Sequence, residues 1–363
     1  MMRAVVTRPG AGRAWPADIP DPAFEHEHDV LVRMLRVGVC GTDRHVIGRG
    51  VARADSLPNG DDYLVIGHEA VGRVERVGSG VRSVSVGDVV VPTVRRGCRE
   101  CPACLDGQAD LCFTGRVRER GIVGLHGFLS ERIVEREEHL IRVAGDLAQV
   151  APLVESLTTP EKALRRIGNA RAHLPAAELR RVLVTGSGPI ALLGMMALRL
   201  REIPTTLVAR QPRGGPAERL SERCGATYVT LSEVELDNPR ARLGEFDAVV
   251  EATGAVELSV AMLGVLSPNG VLDLVGGMAE RKAVPIQATA LGAMMGRNLT
   301  VLGSVNANAN DWRAAVADLT TMRAMYAGGV ESLITHTFGM DDVDVAFERV
   351  PGQIKAVIDI AHA

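Results

Sequence analysis

Aromatic residues make up only 3% of this 363-residue chain, with 2 Trp, 3 Tyr and 6 Phe. That leaves no platform on which nucleic-acid bases could stack and requires cores built from Val, Leu, Ala and Met. Neither sign of charge dominates: the formal net charge is −3, so no basic face for nucleic acid is implied. No apolar run reaches the roughly 18 residues needed to cross a bilayer. Internal repeats and low-complexity tracts are missing as well. The opening segment Met1–Gly10 has no charged n-region followed by an apolar h-region, so nothing suggests export and a cytoplasmic enzyme is expected.

Cysteine is also scarce, at six residues, yet four of them, Cys98, Cys101, Cys104 and Cys112, form a Cys-x2-Cys-x2-Cys-x7-Cys run. Short pairs let two thiolates converge on one cation within a turn, and the longer step lets the chain return to complete a tetrahedral sulfur site suited to zinc. Such a closed site keeps no open position, so it holds a loop and performs no chemistry. An accidental cluster of free thiols would be a liability, and a disulfide pair does not suit a chain with no mark of export.

The chain is long enough for two domains, and its character changes near residue 170. Before that point, short Val-rich runs such as Val71 to Val77 and Val89 to Val91 are broken by Gly-containing turns, which predicts a β-rich domain. After it, strand-like runs at Val182 to Thr185, Thr205 to Val208, Ala248 to Glu251, Val271 to Val275 and Leu299 to Leu302 alternate with helical stretches. This α/β pattern predicts a doubly wound parallel sheet. A helical run from Asp311 to Tyr326 and a last strand, Ile354 to Ile360, complete the chain, the strand being expected to return to the first domain.

A cofactor site opens the second half. The strand Val182 to Thr185 runs into Gly186-Ser187-Gly188-Pro189-Ile190-Ala191, a Gly-x-Gly-x-x-Ala turn leading into an apolar helix, Ile190 to Leu200. Gly186 allows the tight turn, Gly188 the close approach of a pyrophosphate, and the helix N-terminus offers amide donors. Such a motif alone is weak, but here it follows a strand and opens a helix. About 20 residues on, an Asp or Glu would grip the ribose 2′-hydroxyl of NAD. This chain instead reads Ala209-Arg210-Gln211-Pro212-Arg213. With no carboxylate to repel a 2′-phosphate and Arg210, with Arg213, to pair with it, NADP is preferred and NAD remains open. The alternative is that these arginines are ordinary solvated charges and both cofactors are accepted.

A catalytic metal would need residues distant in sequence. Cys40, His68 and Glu155 lie in Gly-marked or helix-opening segments, and a zinc held by Cys, His and Glu keeps a fourth position for substrate or water. Taken singly, each has an ordinary reading as a core filler or a satisfied loop residue.

The segments around Cys40-Gly41-Thr42-Asp43 and Gly67-His68-Glu69, with the four-cysteine run, resemble those of the zinc-dependent medium-chain dehydrogenase/reductase superfamily along essentially the whole chain. Within it the resemblance is to archaeal-type glucose dehydrogenases, carried by Pro58 to Asp62, Val90 to Arg96, Glu119 to Phe128, Glu161-Lys162-Ala163 and Gly303 to Asn306. It implies a GroES-like catalytic domain over residues 1–165 and 305–363 and a Rossmann domain over 166–304. It further implies a catalytic zinc on Cys40, His68 and Glu155, with Glu69 as an alternative ligand or nearby base, and a structural zinc on the four cysteines, two zinc ions per chain. By the same resemblance Thr42 touches the reacting hydroxyl and His45 relays its proton, while Glu119 and Asn306 hydrogen-bond sugar hydroxyls alongside Thr42 and Glu155. Gly188 to Ala191, Val275, Gly276, Gly277 and Val305 match coenzyme-contacting stretches, and relatives form dimers or tetramers.

The expected activity is hydride transfer between a secondary alcohol or hemiacetal of a sugar-like molecule and the nicotinamide. Departures bear on the substrate: Ser156 follows Glu155 where many relatives have Pro, Thr159 stands where some have Asp, Gly296 where His is frequent and Val94 where some have Asn. A buried hydroxyl left unmatched costs about 1–3 kcal/mol, so a cyclitol, amino sugar or other polyol stays open beside glucose. A non-catalytic zinc- and nucleotide-binding protein is the rival from another class.

Overall fold

The computed structural model describes residues 1–49, 57–58, 60–277, 283–286 and 288–360. Asn59, within the segment Pro58 to Asp62, and residues 361–363 of the expected C-terminal return lie outside them. Two compact units emerge: Met1–Glu155 with Asn306–Ala317 and Val330–Ala363, and Ser156–Val305 with Asp318–Gly329. The first change of unit falls at Glu155 rather than at 165. One continuous helix, Leu153–Arg171, carries the chain across and offers no loop at which to part it.

In the first unit, alternating Val-rich segments build a seven-stranded sheet. Its order is Leu140–Val143, Val89–Pro92, Glu69–Val77, Asp29–Val39, Lys355–Asp359 and Ile334–Gly339, with Arg132–Arg136 also pairing Asp29–Val39. Its inward residues, among them Val30, Val32, Met34, Val74, Val90 and Ile358, form one apolar core with the loop residue Phe128. Fully burying side chains of this size contributes roughly 1.5–3 kcal/mol each. The strand Asp29–Val39 is the keystone for function: it pairs antiparallel with Glu69–Val77 on one side and with Lys355–Asp359 on the other, and its end delivers Cys40. A smaller sheet joins Arg95–Arg96, Arg118–Arg120 and Gly124–Leu125, strands that flank the four-cysteine segment.

The second unit holds six strands in the order Thr227–Thr230, Thr205–Ala209, Val182–Thr185, Phe246–Glu251, Leu266–Leu274 and Thr300–Gly303. Every pairing is parallel. This is the 3-2-1-4-5-6 order of a Rossmann fold, in which ligands bind beyond the carboxyl ends of the strands where the order reverses. The central strands Val182–Thr185 and Phe246–Glu251 are buried throughout, as a sheet covered on both faces requires. Among the described residues no helix is long and apolar enough to cross a membrane.

Candidate active site

Cys40, His68 and Glu69 come together in the first unit, with ligand atoms all within 4.8 Å of one another. Cys40 sits between the strand Asp29–Val39 and the helix Gly41–Arg49, while His68 directly precedes the strand Glu69–Val77. The buried Asp43 fixes both ligands: its Oδ2 accepts the Cys40 amide at 2.8 Å and its Oδ1 lies 3.1 Å from His68 Nδ1. With Nδ1 bonded to a carboxylate, Nε2 of His68 is the nitrogen left to meet a metal. A soft thiolate, an imidazole and a carboxylate in one cluster suit zinc.

Glu69 has a partner that sequence reasoning missed. Lys355 Nζ lies 2.6 Å from Glu69 Oε1 and also bonds Oε2, and the two side chains are 3% and 1% exposed. Gly38 stands opposite Glu69 in the ladder, and a Cβ there would run into the Glu69 carboxylate. The bare glycine therefore makes the room in which the pair forms. Burial would lower the Lys355 pKa, but the charges of Glu69, Cys40 and Glu155 hold it above the ordinary value.

Glu155 opens the helix Leu153–Arg171 and lies outside the 4.8 Å cluster, yet close enough to feel it. Burial pushes its carboxyl up to about 7; the charge of Glu69 adds to the rise, while His68 and Lys355 oppose it. The Thr42 hydroxyl is 3.7 Å from the Cys40 sulfur. His45 follows three residues later on the same helix and is exposed, a spacing that puts both on one face.

Glu119 and Asn306, 187 positions apart, meet directly: Asn306 Nδ2 donates to Glu119 Oε1 at 2.8 Å. Asn306 holds a left-handed backbone with φ of 59°, and its own Oδ1 accepts the Ala307 amide. The Cys98, Cys101, Cys104 and Cys112 sulfurs also lie within 4.8 Å of one another, with Cys98 and Cys104 3.8 Å apart. A tetrahedron with Zn–S bonds of about 2.3 Å has edges of about 3.8 Å, so the four thiols fit a closed zinc site.

In the second unit Gly186 takes φ of 111° at the end of its strand, and Gly188 is the extended N-cap of the helix Pro189–Leu200. A Cβ added at Gly188 would meet nothing within 4 Å, so there is open space beside this helix N-terminus, as the approach of a pyrophosphate needs. Ile190 is half-buried and Ala191 buried behind them. Glu251, fully buried, fastens the opposite loop: its side chain accepts from Thr185 Oγ1, the Thr253 amide and the Gly254 amide, and its carbonyl from the amides of Val275 and Gly276. Gly277 lies beside Gly254 in this arrangement. Lys162 Nζ donates to the Val305 carbonyl at 2.9 Å, holding the chain just beyond the last strand.

At the end of the second strand, Ala209 is buried and Arg210 exposed, and Gln211 accepts the Tyr228 hydroxyl at its carbonyl. The two arginines differ. Arg213 is ion-paired with Glu218 and Glu233, both at 2.8 Å, whereas among the described residues Arg210 has no carboxylate partner.

Comparison with known proteins agrees with this arrangement. Residues 26–145 match the alcohol dehydrogenase GroES-like domain, and residues 148–360 match the glucose dehydrogenase C-terminus. A glucose 1-dehydrogenase of Methanocella arvoryzae is 32% identical over 99% of both chains. Glucose 1-dehydrogenase 1 of Vulcanisaeta moutnovskia is 36% identical over 94% of both. The structure of Haloferax mediterranei glucose dehydrogenase in complex with NADP, Zn and gluconolactone superimposes with a TM-score of 0.89 at 30% identity, covering 99% of each chain. The chain therefore belongs to the glucose dehydrogenase family of the zinc-dependent medium-chain dehydrogenase/reductase superfamily.

Proposed function

We propose that this protein is a zinc-dependent, NADP-preferring dehydrogenase that oxidises the C1 hemiacetal hydroxyl of an aldose, glucose being the first candidate, to the lactone. The observation that carries the reading is the convergence of Cys40, His68 and Glu69 in the same unit as the joined pair Glu119 and Asn306. A metal-ligand cluster and a set of groups that recognise hydroxyls are what such a reaction needs. The relatives named glucose 1-dehydrogenase, and the Haloferax enzyme with its NADP, Zn and gluconolactone, support the choice of substrate class.

The oxidation removes a hydride from C1 and a proton from its hydroxyl. Cys40 and His68 hold the catalytic zinc, with Glu155 or Glu69 as the third ligand, and the bound ion supplies Lewis acidity that makes a hydroxyl easier to deprotonate. NADP, when bound at Gly186 to Ala191, supplies the hydride acceptor. Thr42 Oγ1 accepts the departing proton, and the exposed His45 imidazole passes it to solvent. Asp43 keeps His68 in one orientation throughout, and Lys355 holds Glu69 by both oxygens, which favours Glu155 as the carboxylate that would complete the zinc's ligand set. Arg210 is the cation for the 2′-phosphate, since Arg213 is already committed to two carboxylates. Cys98, Cys101, Cys104 and Cys112 hold a second zinc that braces the chain. The resemblance extends the reading to a cytoplasmic homo-oligomer, dimer or tetramer.

The test is a screen of zinc-loaded protein at 340 nm with NADP and NAD against glucose, galactose, amino sugars, cyclitols and simple alcohols. Rapid NADP reduction with an aldose is the expected result, and it should vanish in Cys40→Ala. Activity confined to a cyclitol or amino sugar would move the substrate assignment. Failure with every substrate, or turnover surviving in Cys40→Ala, would remove the reading.

A further inference from the structure

We propose that Arg95 is the positioning residue that fixes the hydroxyl-binding oxygen of Glu119, and thereby decides which sugar hydroxyl the enzyme requires. The inference rests on the sugar dehydrogenase reading above and adds to it a residue with no role in that reading.

Arg95 and Glu119 stand directly opposite one another on the antiparallel strands Arg95–Arg96 and Arg118–Arg120. An arginine fork normally meets a carboxylate with two parallel bonds, one to each oxygen. Here both arms close on one oxygen: Nε lies 2.8 Å and the terminal NH2 2.7 Å from Glu119 Oε1. Asn306 Nδ2 reaches the same oxygen at 2.8 Å. Two N–H donors, Arg95 Nε and Asn306 Nδ2, thus converge on Oε1 with the terminal Arg95 nitrogen in ion-pair contact beside them, and among the described residues none reaches Oε2. A carboxylate has about four acceptor sites, so the arrangement saturates one oxygen and keeps the other as an acceptor.

The donors are themselves held. The remaining arm of Arg95 donates to the Asp110 carbonyl at 3.3 Å, just ahead of Cys112, and the Asn306 amide is oriented by its bond from the Ala307 N–H. Arg95 and Glu119 side chains are only 12% and 14% exposed, so water competes weakly for the fork. A fixed, partly buried carboxylate oxygen with spare acceptor capacity recognises a hydroxyl donor. Because it points in one direction, it recognises the hydroxyl at one ring position. Without Arg95 the carboxylate is free to turn about its last bond, and the single Asn306 bond no longer tells one oxygen from the other.

The experiment compares wild type, Arg95→Met and Arg95→Lys, each checked for zinc content and circular dichroism. KM and kcat are measured with saturating NADP for the parent sugar and its monodeoxy analogues. Wild type should reject one deoxy sugar strongly, because the missing hydroxyl leaves Oε2 unpaired. Arg95→Met should raise KM for the parent sugar about tenfold or more, leave kcat and the KM for NADP near wild type, and abolish discrimination against that one deoxy sugar while sparing the others. Arg95→Lys keeps the charge but has no rigid planar fork to fix that oxygen, so it should lose part of the same discrimination. An unchanged deoxy profile in the lysine variant, or an equal loss against every deoxy sugar, would overturn the inference. Wild type that oxidises no sugar would overturn the functional reading instead, so the two failures are distinct.

Discussion

Replacing Lys355 with Met removes one half of a deeply enclosed ion pair beside the candidate active site. The Lys355 ammonium and the Glu69 carboxylate are 3% and 1% exposed and bonded through both carboxylate oxygens. Deleting the cation takes the lysine's charge from beside a buried carboxylate, and breaking a pair of this kind costs about 3–5 kcal/mol. For a unit of this size each kcal/mol moves the melting midpoint by roughly 2–4 °C, so a fall of about 6–20 °C is expected. Replacing both members, Lys355→Met with Glu69→Gln, removes the carboxylate's charge as well and should recover much of the loss. The assay is thermal and urea denaturation of all four proteins of the cycle in chelator-treated form, so that altered zinc affinity does not enter. A single variant destabilised by less than about 1 kcal/mol, or a double variant no better than the single, would refute the claim that the pair acts as a buried unit.

Two further outcomes follow from the charges described. Arg210→Ala should raise the KM for NADP about tenfold or more, the loss of a charge-assisted contact, with the KM for NAD nearly unchanged; steady-state kinetics with both cofactors checks this, and equal effects would dismiss the phosphate assignment. Burial alone would raise the Glu135 carboxyl, but Arg120 and Arg96, at 2.7 and 2.6 Å, outweigh it and hold the group at about 2 against an ordinary 4.5. A depressed carboxyl stabilises the fold above its unfolded pKa and loses that contribution as the pH falls through the folded value. About 3 kcal/mol should therefore disappear between pH 5 and 2, and urea midpoints across that range should fall more steeply in wild type than in Glu135→Gln.

Several features of the site were legible because they are local. The spacing of Cys98, Cys101, Cys104 and Cys112 brings the sulfurs together through short loops, and the structure sets Cys98 and Cys104 3.8 Å apart. The turn at Gly186 to Ala191 is likewise a single contiguous piece, and the expected strand at Val182 to Thr185 has those same ends. Other expected elements shifted by a few residues where buried and exposed positions blend: the run predicted from Val271 to Val275 is the strand Leu266–Leu274. The strand Ile334–Gly339 passed unnoticed. None of its six residues is fully buried, so no strong apolar run marks it, and its parallel pairing with Lys355–Asp359 is a tertiary fact.

Composition, cysteine spacing and the glycine turn by themselves determined a two-part chain, a sulfur metal site and a dinucleotide cradle, because in each case the interacting groups lie close along the backbone. Partnerships across long separations were decided only by the fold. Lys355 meets Glu69 because their strands lie on opposite sides of Asp29–Val39, with Gly38 leaving space between them. Arg213 is ion-paired with Glu218 and Glu233, although in sequence it looks equivalent to Arg210. Arg95 gains its hold on Glu119 from strand register. The physical reason is the same in all three: a charge's role depends on which opposite charge is brought within hydrogen-bonding distance and how far water is excluded, and neither quantity is carried by a residue's neighbours in sequence.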